Sequence, residues 1–133
     1  MEEQKVEITT HKDIISARQA GRDIAKKLGF GTADQTRLAT AISELTRNVL
    51  QYAGKGVCII TDISSQTEKK IKVIVEDNGP GIEDIELALK DGFSTSNGLG
   101  AGLPGTKRLV HDFHIESKQG LTKVTIIIKR KAL

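Results

Sequence analysis

Apolar residues in the first part of the chain recur with two different spacings. Residues 5–9 alternate between apolar and polar, which predicts a short strand with one buried face. Two longer stretches then repeat apolar residues three and four positions apart, the spacing of an amphipathic helix. The first predicted helix follows Thr10 and ends at Gly29, and the second follows Thr32 and ends near Gly54.

Both predicted helices begin with residue types that satisfy free backbone N–H groups. Thr10 is the predicted N-cap of the first helix, and Asp13 places an acidic side chain in its first turn. Thr32 followed by Gln35 matches a capping box, so Thr32 is the predicted N-cap of the second helix.

β-branched residues form two short runs in the middle of the chain. Predicted strands at 57–63 and 71–75 flank a polar segment, so we expect them to pair as antiparallel neighbours. The remaining predicted elements are a short helix over 83–90, a helix over 103–112, and two strands over 113–117 and 123–129 joined by a turn at Gln119-Gly120. Strands grouped in this way predict an α+β fold, a two-layer sandwich with the helices on one face of the sheet.

Composition narrows the class of protein. The chain has 133 residues and a mass of 14.4 kDa, which predicts a single domain over 1–133. No apolar run approaches the roughly 20 residues that cross a membrane, and the polar N-terminus does not resemble a signal peptide. We therefore expect a cytoplasmic protein with no membrane partner.

Charge and cysteine content exclude further classes of site. The single cysteine, Cys58, cannot form an internal disulfide or a cysteine-rich metal centre. The net charge is +3, but aromatic residues make up only 3% of the chain, and the dense basic run is limited to the short segment 129–131. Nucleic acid is therefore not an expected partner.

Glu44 and Asn48 lie four residues apart on the second predicted helix, so their side chains are expected on one face about one turn apart. That face borders the apolar stripe of the helix, where a half-buried pocket can open. Taken alone, a glutamate and an asparagine at this spacing are more often ordinary helix surface.

Asp77 ends a predicted strand and is followed at 78–81 by Asn-Gly-Pro-Gly, a strong chain-reversing sequence. A carboxylate in this position can accept a hydrogen bond from an exocyclic amine, and Gly79 would leave room for a planar ring. Taken alone, the segment is better explained as an ordinary β-turn.

The segment 91–105 contains five glycines in fifteen residues and runs directly into an apolar helical pattern. Glycine lets backbone N–H groups approach an anion closely, and Pro104 suits the first turn of the following helix. We therefore interpret the segment as a phosphate-holding lid that moves to admit nucleotide. A surface linker is the alternative for a glycine-rich segment considered alone.

In this order, the three segments resemble the motifs of the GHKL, or Bergerat-fold, ATP-binding domain of gyrase, Hsp90, histidine kinases and MutL. The matching positions are Glu44 and Asn48, then Asp77, Gly79 and Gly81, and then Gly98, Gly100, Gly102, Leu103 and Gly105. The resemblance implies a mixed, mostly antiparallel sheet and binding of ATP with Mg²⁺. It also implies that Asn48 holds Mg²⁺, that Asp77 binds the adenine amine and that the lid surrounds the phosphates. Glu44 is then the expected general base for phosphoryl transfer.

Two departures from the family pattern limit this assignment. The family usually has a Gly-Thr pair before its last strand, whereas this chain reads Gly120-Leu121-Thr122. Thr122 is the expected nucleotide contact, and Thr125 is the alternative that the sequence leaves open. Tyr52 stands where many histidine kinases have a histidine.

The chain also lacks the phosphoacceptor helical hairpin of histidine kinases and the second domain of gyrase-like ATPases. Segments 17–22, 28–32 and 91–96 resemble those of the stand-alone serine/threonine kinases of the stressosome, which act by partner switching. That resemblance implies STAS-domain proteins as substrates and a PP2C-like phosphatase as a second partner. The alternatives are an anti-sigma factor kinase, and an ATP hydrolase or non-catalytic ATP-binding scaffold.

Overall fold

A computed structural model describes residues 3–79 and 102–132. Its elements, in chain order, are β1 (Glu3–Ile8), α1 (His11–Lys27), α2 (Thr32–Tyr52), β2 (Gly56–Asp62), β3 (Glu68–Asp77), α3 (Gly102–Leu109), β4 (Asp112–Lys118) and β5 (Leu121–Lys131). Every predicted element in these residues is present. The predicted helix over 103–112 ends early, at Leu109, because residues from Asp112 onward pair in the sheet. The helix predicted over 83–90 lies outside the described residues.

The five strands form one sheet in the order β1-β2-β3-β5-β4. Each neighbouring pair is antiparallel, so the described part of the sheet contains none of the parallel pairing that a mixed sheet implies. Helices α1 and α2 pack against each other and against the sheet, and α3 packs against α2. The predicted α+β sandwich is therefore confirmed. None of the helices in the described part of the chain combines the length and the apolar character that a membrane span requires.

The core lies between the helices and one face of the sheet. Alternate residues of the strands point to opposite faces, and those toward the helices are buried. Fully buried side chains of this core include Ile8, Ile24, Leu38, Ile42, Ile60, Ile71, Val73, Ile126 and Ile128. The two long helices approach closely where they cross, because a Cβ on Gly21 would collide with Cδ1 of Ile42.

The start of α1 matches its prediction. Thr10 is the N-cap residue. The carboxylate of Asp13 accepts hydrogen bonds from the backbone N–H groups of Thr9 at 2.8 Å and Thr10 at 2.9 Å. These backbone bonds lower the pKa of Asp13 below its ordinary value.

The predicted cap of α2 is wrong by one residue. Gly31 is the N-cap, and Thr32 is already the first helical residue. The Gln35 side chain donates to the carbonyl of Phe30 at 2.8 Å and therefore does not complete a capping box with Thr32. Phe30 is buried, so packing of its ring fixes where the chain enters the helix and overrides the local preference of Thr32.

Candidate nucleotide-binding site

The apolar core gives way to polar side chains in one row across the end of the sheet. Strand pairing places Asp77 of β3 between Gly56 of β2 and Thr122 of β5. Thr122 in turn lies opposite Ser117 of β4. We call these four residues, Gly56, Asp77, Thr122 and Ser117, the polar row. Each of them continues the buried, helix-facing side of its strand, so the row lies on the same face as the core.

Asp77 is half-buried at the end of β3. Its Oδ1 accepts a hydrogen bond from the backbone N–H of Gly79 at 2.9 Å. Burial raises the pKa of Asp77, and the bond from Gly79 offsets part of that rise. Among the described residues Gly79 alone donates to this carboxylate, which leaves Oδ2 able to accept from a ligand.

Two hydrogen bonds join the loop after β3 to the turn between β4 and β5. The side-chain nitrogen Nδ2 of Asn78 donates to the carbonyl of Gly120 at 3.0 Å, and the N–H of Gly120 donates to the carbonyl of Gly79 at 3.0 Å. Gly120 has a φ of +89°, which a residue with a side chain rarely adopts. The sequence predicts this turn but assigns no role to Asn78, because two segments about forty residues apart form the contact.

Thr122 and Thr125 lie on opposite faces of the sheet. Thr122 faces the helices beside Asp77, and its Oγ1 is 2.7 Å from Oγ of Ser117. Thr125 pairs with Ile74 and His114 on the face away from the helices. Of the two threonines that the sequence leaves open, only Thr122 shares the face of Asp77. Ser117 was missed, because only strand register brings it to this position.

Glu44 and Asn48 lie on α2 and are both intermediate in burial, as expected for positions that border the apolar stripe. The Glu44 side chain is 15% exposed, and its Oε1 accepts from Nη1 of Arg47 at 2.7 Å. Arg47 is 46% exposed. This ion pair was not predicted, although its i, i+3 spacing on a helix would have indicated it.

The last turns of α2 lie directly over the polar row. A Cβ on Gly56 would lie 2.7 Å from Cγ1 of Val49, and a Cβ on Gly79 would lie 2.7 Å from Cβ of Ala53. Both glycines therefore allow the helix to approach the sheet. This is a packing reason for Gly79 that differs from the predicted space for a planar ring. Asn48 precedes Val49 and so belongs to the helical turn that contacts the row.

Helix α3 begins within the segment predicted as a lid. Leu103, Pro104 and Gly105 are buried, and the hydroxyl of Thr106 donates to the carbonyl of Gly102 at 2.9 Å. Pro104 lies in the first turn, as predicted. The last four residues of the segment predicted to move, 102–105, form the first turn of this helix, and three of them are buried. Gly81, Gly98 and Gly100 lie outside the described residues.

Comparison with known proteins identifies the family. Residues 33–132 match the model of the histidine kinase-, DNA gyrase B- and HSP90-like ATPases. The chain belongs to this GHKL family. The matched region includes α2 from its second residue onward, all of the polar row and α3, so every described site residue lies within it.

Individual relatives place this GHKL chain among protein kinases. It is 56% identical over 115 residues to the serine/threonine-protein kinase RsbT of Bacillus subtilis, covering 86% of each chain. It is 32% identical over 119 residues to the serine-protein kinase RsbW of Bacillus mycoides, covering 82% of this chain and 72% of RsbW. These similarities confirm the predicted resemblance and show a serine/threonine protein kinase.

A solved structure supports the fold independently. The RsbU and RsbW domains of a Mycobacterium tuberculosis protein superpose with a TM-score of 0.63 at 18% identity. The alignment covers 97% of this chain and 34% of that one. At this level of identity the match shows a shared fold.

Proposed function

We propose that this kinase transfers the γ-phosphoryl group of Mg-ATP to a serine or threonine of a STAS-domain protein. When released from that partner, it binds and activates a PP2C-like phosphatase, as in partner switching during stress signalling. One structural observation carries the proposal: the half-buried Asp77 carboxylate retains an oxygen without a donor among the described residues and lies beside Thr122 under α2. The 56% identity to RsbT favours this function over that of an anti-sigma kinase.

In this proposal the polar row binds the adenine base. Asp77 Oδ2 accepts a hydrogen bond from the exocyclic amine, and the hydroxyl of Thr122 lies next to it across the strand pair. Gly79 and Gly81 bring backbone close to the base. Backbone N–H groups of the glycine-rich segment bind the phosphates, with Gly98, Gly100, Gly102, Leu103 and Gly105 as the contacting residues.

Asn48 is the proposed protein ligand of Mg²⁺. Within residues 3–79 and 102–132 there is no group of three or more His, Cys, Asp or Glu side chains that could hold a metal ion. A site with one amide oxygen from the protein and further oxygens from the nucleotide phosphates fits Mg²⁺, which is commonly bound in that way. When bound, the ion neutralises charge on the phosphates.

Glu44 is the proposed general base. Its carboxylate accepts the proton of the substrate hydroxyl as that oxygen forms a bond to the γ-phosphorus. The bond from the γ-phosphorus to the β–γ bridging oxygen breaks, and ADP leaves. Arg47 binds Oε1 of Glu44 and keeps the carboxylate in place, while Oε2 is the oxygen proposed to receive the proton.

The test uses ATP labelled in its γ-phosphate and a purified STAS-domain protein, with a serine- or threonine-to-alanine version of that protein as the control. Label on the intact partner alone supports the proposal. Release of phosphate without labelled protein indicates an ATP hydrolase, and nucleotide binding without turnover indicates a scaffold. Co-purification with a sigma factor indicates the anti-sigma kinase.

A second assay addresses the phosphatase partner. Adding the kinase to a PP2C-like phosphatase is expected to raise phosphatase turnover, and prior addition of the STAS protein is expected to suppress that rise. A kinase that leaves phosphatase turnover unchanged would remove this part of the proposal. We propose that these reactions take place in the cytoplasm.

A further inference from the structure

Strand β5 extends beyond its neighbour at the end of the sheet away from the polar row. Pairing between β4 and β5 runs from Lys118 opposite Leu121 to Asp112 opposite Ile127. On its other side, β5 continues to pair with β3 as far as Lys131. Within the described residues, the segment 128–131, which we call the β5 overhang, therefore has a neighbouring strand on one side only.

Backbone hydrogen bonds show which groups point to the open side of the overhang. The carbonyl of Ile127 accepts from the N–H of His111 at 3.0 Å, and the N–H of Lys129 donates to Nδ1 of the same histidine at 3.1 Å. Ala132 instead donates to Thr67 at 3.0 Å, on the β3 side. Because alternate residues point the same way, the N–H of Lys131 faces the open edge.

The side chains of the overhang face like charges. Lys69 pairs directly with Arg130 on the helix-facing side of the sheet, and Lys70 pairs directly with Lys129 on the other side. Like charges directly opposite each other destabilise a sheet. Across these last three strand pairs, which also include Glu68 opposite Lys131, five cations stand against one carboxylate.

Internal contacts compensate only part of this charge. Glu68 forms an ion pair with Lys70 at 3.2 Å. Nη1 of Arg130 lies 3.4 Å from the position of a Cβ on Gly29, just beyond the C-terminus of α1, where a cation is favoured. Lys129 and Lys131 therefore supply positive charge next to an open strand edge.

The positive charge of the β5 overhang favours one kind of binding partner over others. A second copy of the overhang would bring the same cations to the same place, and lysines at an edge prevent such pairing. An extended acidic segment brings carboxylates to both faces, because its alternate side chains point in opposite directions. We propose that the β5 overhang binds an acidic, extended segment of a partner protein, which adds to the sheet as a strand.

This surface is separate from the nucleotide site, since the two lie at opposite ends of β3 and β5. The inference therefore does not rest on the proposed kinase chemistry. Its test uses the full chain without nucleotide, so a failure here says nothing about phosphoryl transfer.

The first experiment tests whether the charges of Lys129 and Lys131 contribute to peptide binding. A fluorescein-labelled octapeptide of two Glu-Glu-Thr-Thr repeats, which places carboxylates on both faces of a strand, is titrated with the protein, and its anisotropy gives the dissociation constant. Lys129→Gln with Lys131→Gln is expected to weaken binding by roughly tenfold, and added salt is expected to weaken it further. The matched control, Lys12→Gln with Lys118→Gln, removes two exposed lysines elsewhere and is expected to bind like the wild type.

The second experiment measures strand addition. Lys131→Pro removes the outward N–H as well as the charge, whereas Lys131→Gln removes the charge alone. Weaker binding by the proline variant supports addition of a strand, and equal binding by the two variants overturns it. The proposal is also overturned if both double variants bind the peptide equally or if wild type does not bind it. Tighter binding of a DNA duplex, or a dimer lost in Lys129→Gln with Lys131→Gln, would replace the proposed occupant by nucleic acid or a second copy.

Discussion

Strands β3 and β5 end in two very different pairs on the same face of the sheet. At one end Asp77 lies opposite Thr122, and at the other Lys69 lies opposite Arg130. The first pair is half-buried and hydrogen-bonded, with Gly79 donating to Asp77 and Ser117 next to Thr122. The second pair brings two cations together. The same ladder therefore ends in a hydrogen-bonded polar cluster at one end and in a pair of like charges at the other.

The pKa values of two aspartates, one at each end of the sheet, are shifted in opposite directions. Burial raises the pKa of Asp77, which lies under the last turns of α2. At the opposite end, hydrogen bonds from Ser64 lower the pKa of Asp62, and the charge of Lys69 lowers it further. A carboxylate whose pKa is raised by burial is typical of a binding site. A carboxylate whose pKa is lowered by hydrogen bonds and a nearby cation is typical of a structural role.

The largest expected effect comes from Glu44→Gln. Loss of the proposed base should lower phosphoryl transfer to the partner by about 10²- to 10⁴-fold while ATP binding is retained. Turnover is measured with labelled ATP, and binding by calorimetry. The control is Asp34→Asn, which breaks an ion pair with Arg37 of the same i, i+3 spacing on α2. Equal turnover in the two variants would remove Glu44 as the base.

Asp77→Asn should weaken nucleotide binding by roughly ten- to hundredfold, because a charged acceptor for the adenine amine becomes a neutral amide. The control is Glu76→Gln, on the adjacent residue but the opposite face of β3. An unchanged dissociation constant for Asp77→Asn would exclude Asp77 as the adenine contact.

Substitution of the two aspartates should also change stability with opposite pH dependence. The pKa of Asp77 is raised in the folded protein, so its ionised form destabilises the fold. This cost is absent below the ordinary pKa of 3.8 and appears as the pH rises through the folded value. Relative to wild type, Asp77→Asn should gain stability as the pH rises.

Asp62→Asn should do the reverse. The pKa of Asp62 is lowered, so its ionised form stabilises the fold above pH 3.8 and this stability is lost as the pH falls through the folded value. The variant should melt below wild type near neutral pH and approach it in acid. Melting curves between pH 3 and 7 check both variants, and parallel curves would contradict the contrast.

Spacing along the chain was enough to predict most of the fold. Helical and alternating periods located every described element, because each one buries a single apolar face. The predicted N-cap of α2 was wrong because burial of the Phe30 ring determines where the helix begins. A local sequence motif contains no information about that packing. Asp77 and Thr122 were recognised from family motifs, whereas Ser117, Asn78 and Arg47 were not.

Two of these residues, Ser117 and Asn78, were missed for a common physical reason. Ser117 reaches the site through strand register and Asn78 through a contact with Gly120, which no local pattern specifies. The choice between Thr122 and Thr125 likewise depends on which face of β5 is buried. Alternation along β5 gives that answer once Val124 and Ile126 are known to face the helices.

The threonines provide the next prediction. Thr122→Val should weaken nucleotide binding by roughly two- to tenfold, the range expected for loss of one neutral hydrogen bond. Thr125→Val makes the same chemical change on the other face of the same strand and should leave binding unchanged. If the two variants have equal nucleotide affinity, Thr122 does not contact the nucleotide.

The smallest expected effect is that of Asn78→Ala. The variant loses the hydrogen bond to the carbonyl of Gly120 but keeps the backbone hydrogen bond from Gly120 to Gly79. The contact between the two loops is therefore weakened but still present. We expect a loss of about 1 kcal/mol in unfolding free energy and a fall of a few degrees in Tm. Gln119→Ala, in the same turn, should leave Tm unchanged.

Nucleotide affinity should fall less in Asn78→Ala than in Asp77→Asn, because Asn78 only holds the loop that positions Asp77. A larger fall than that of Asp77→Asn would instead indicate that Asn78 itself contacts the nucleotide.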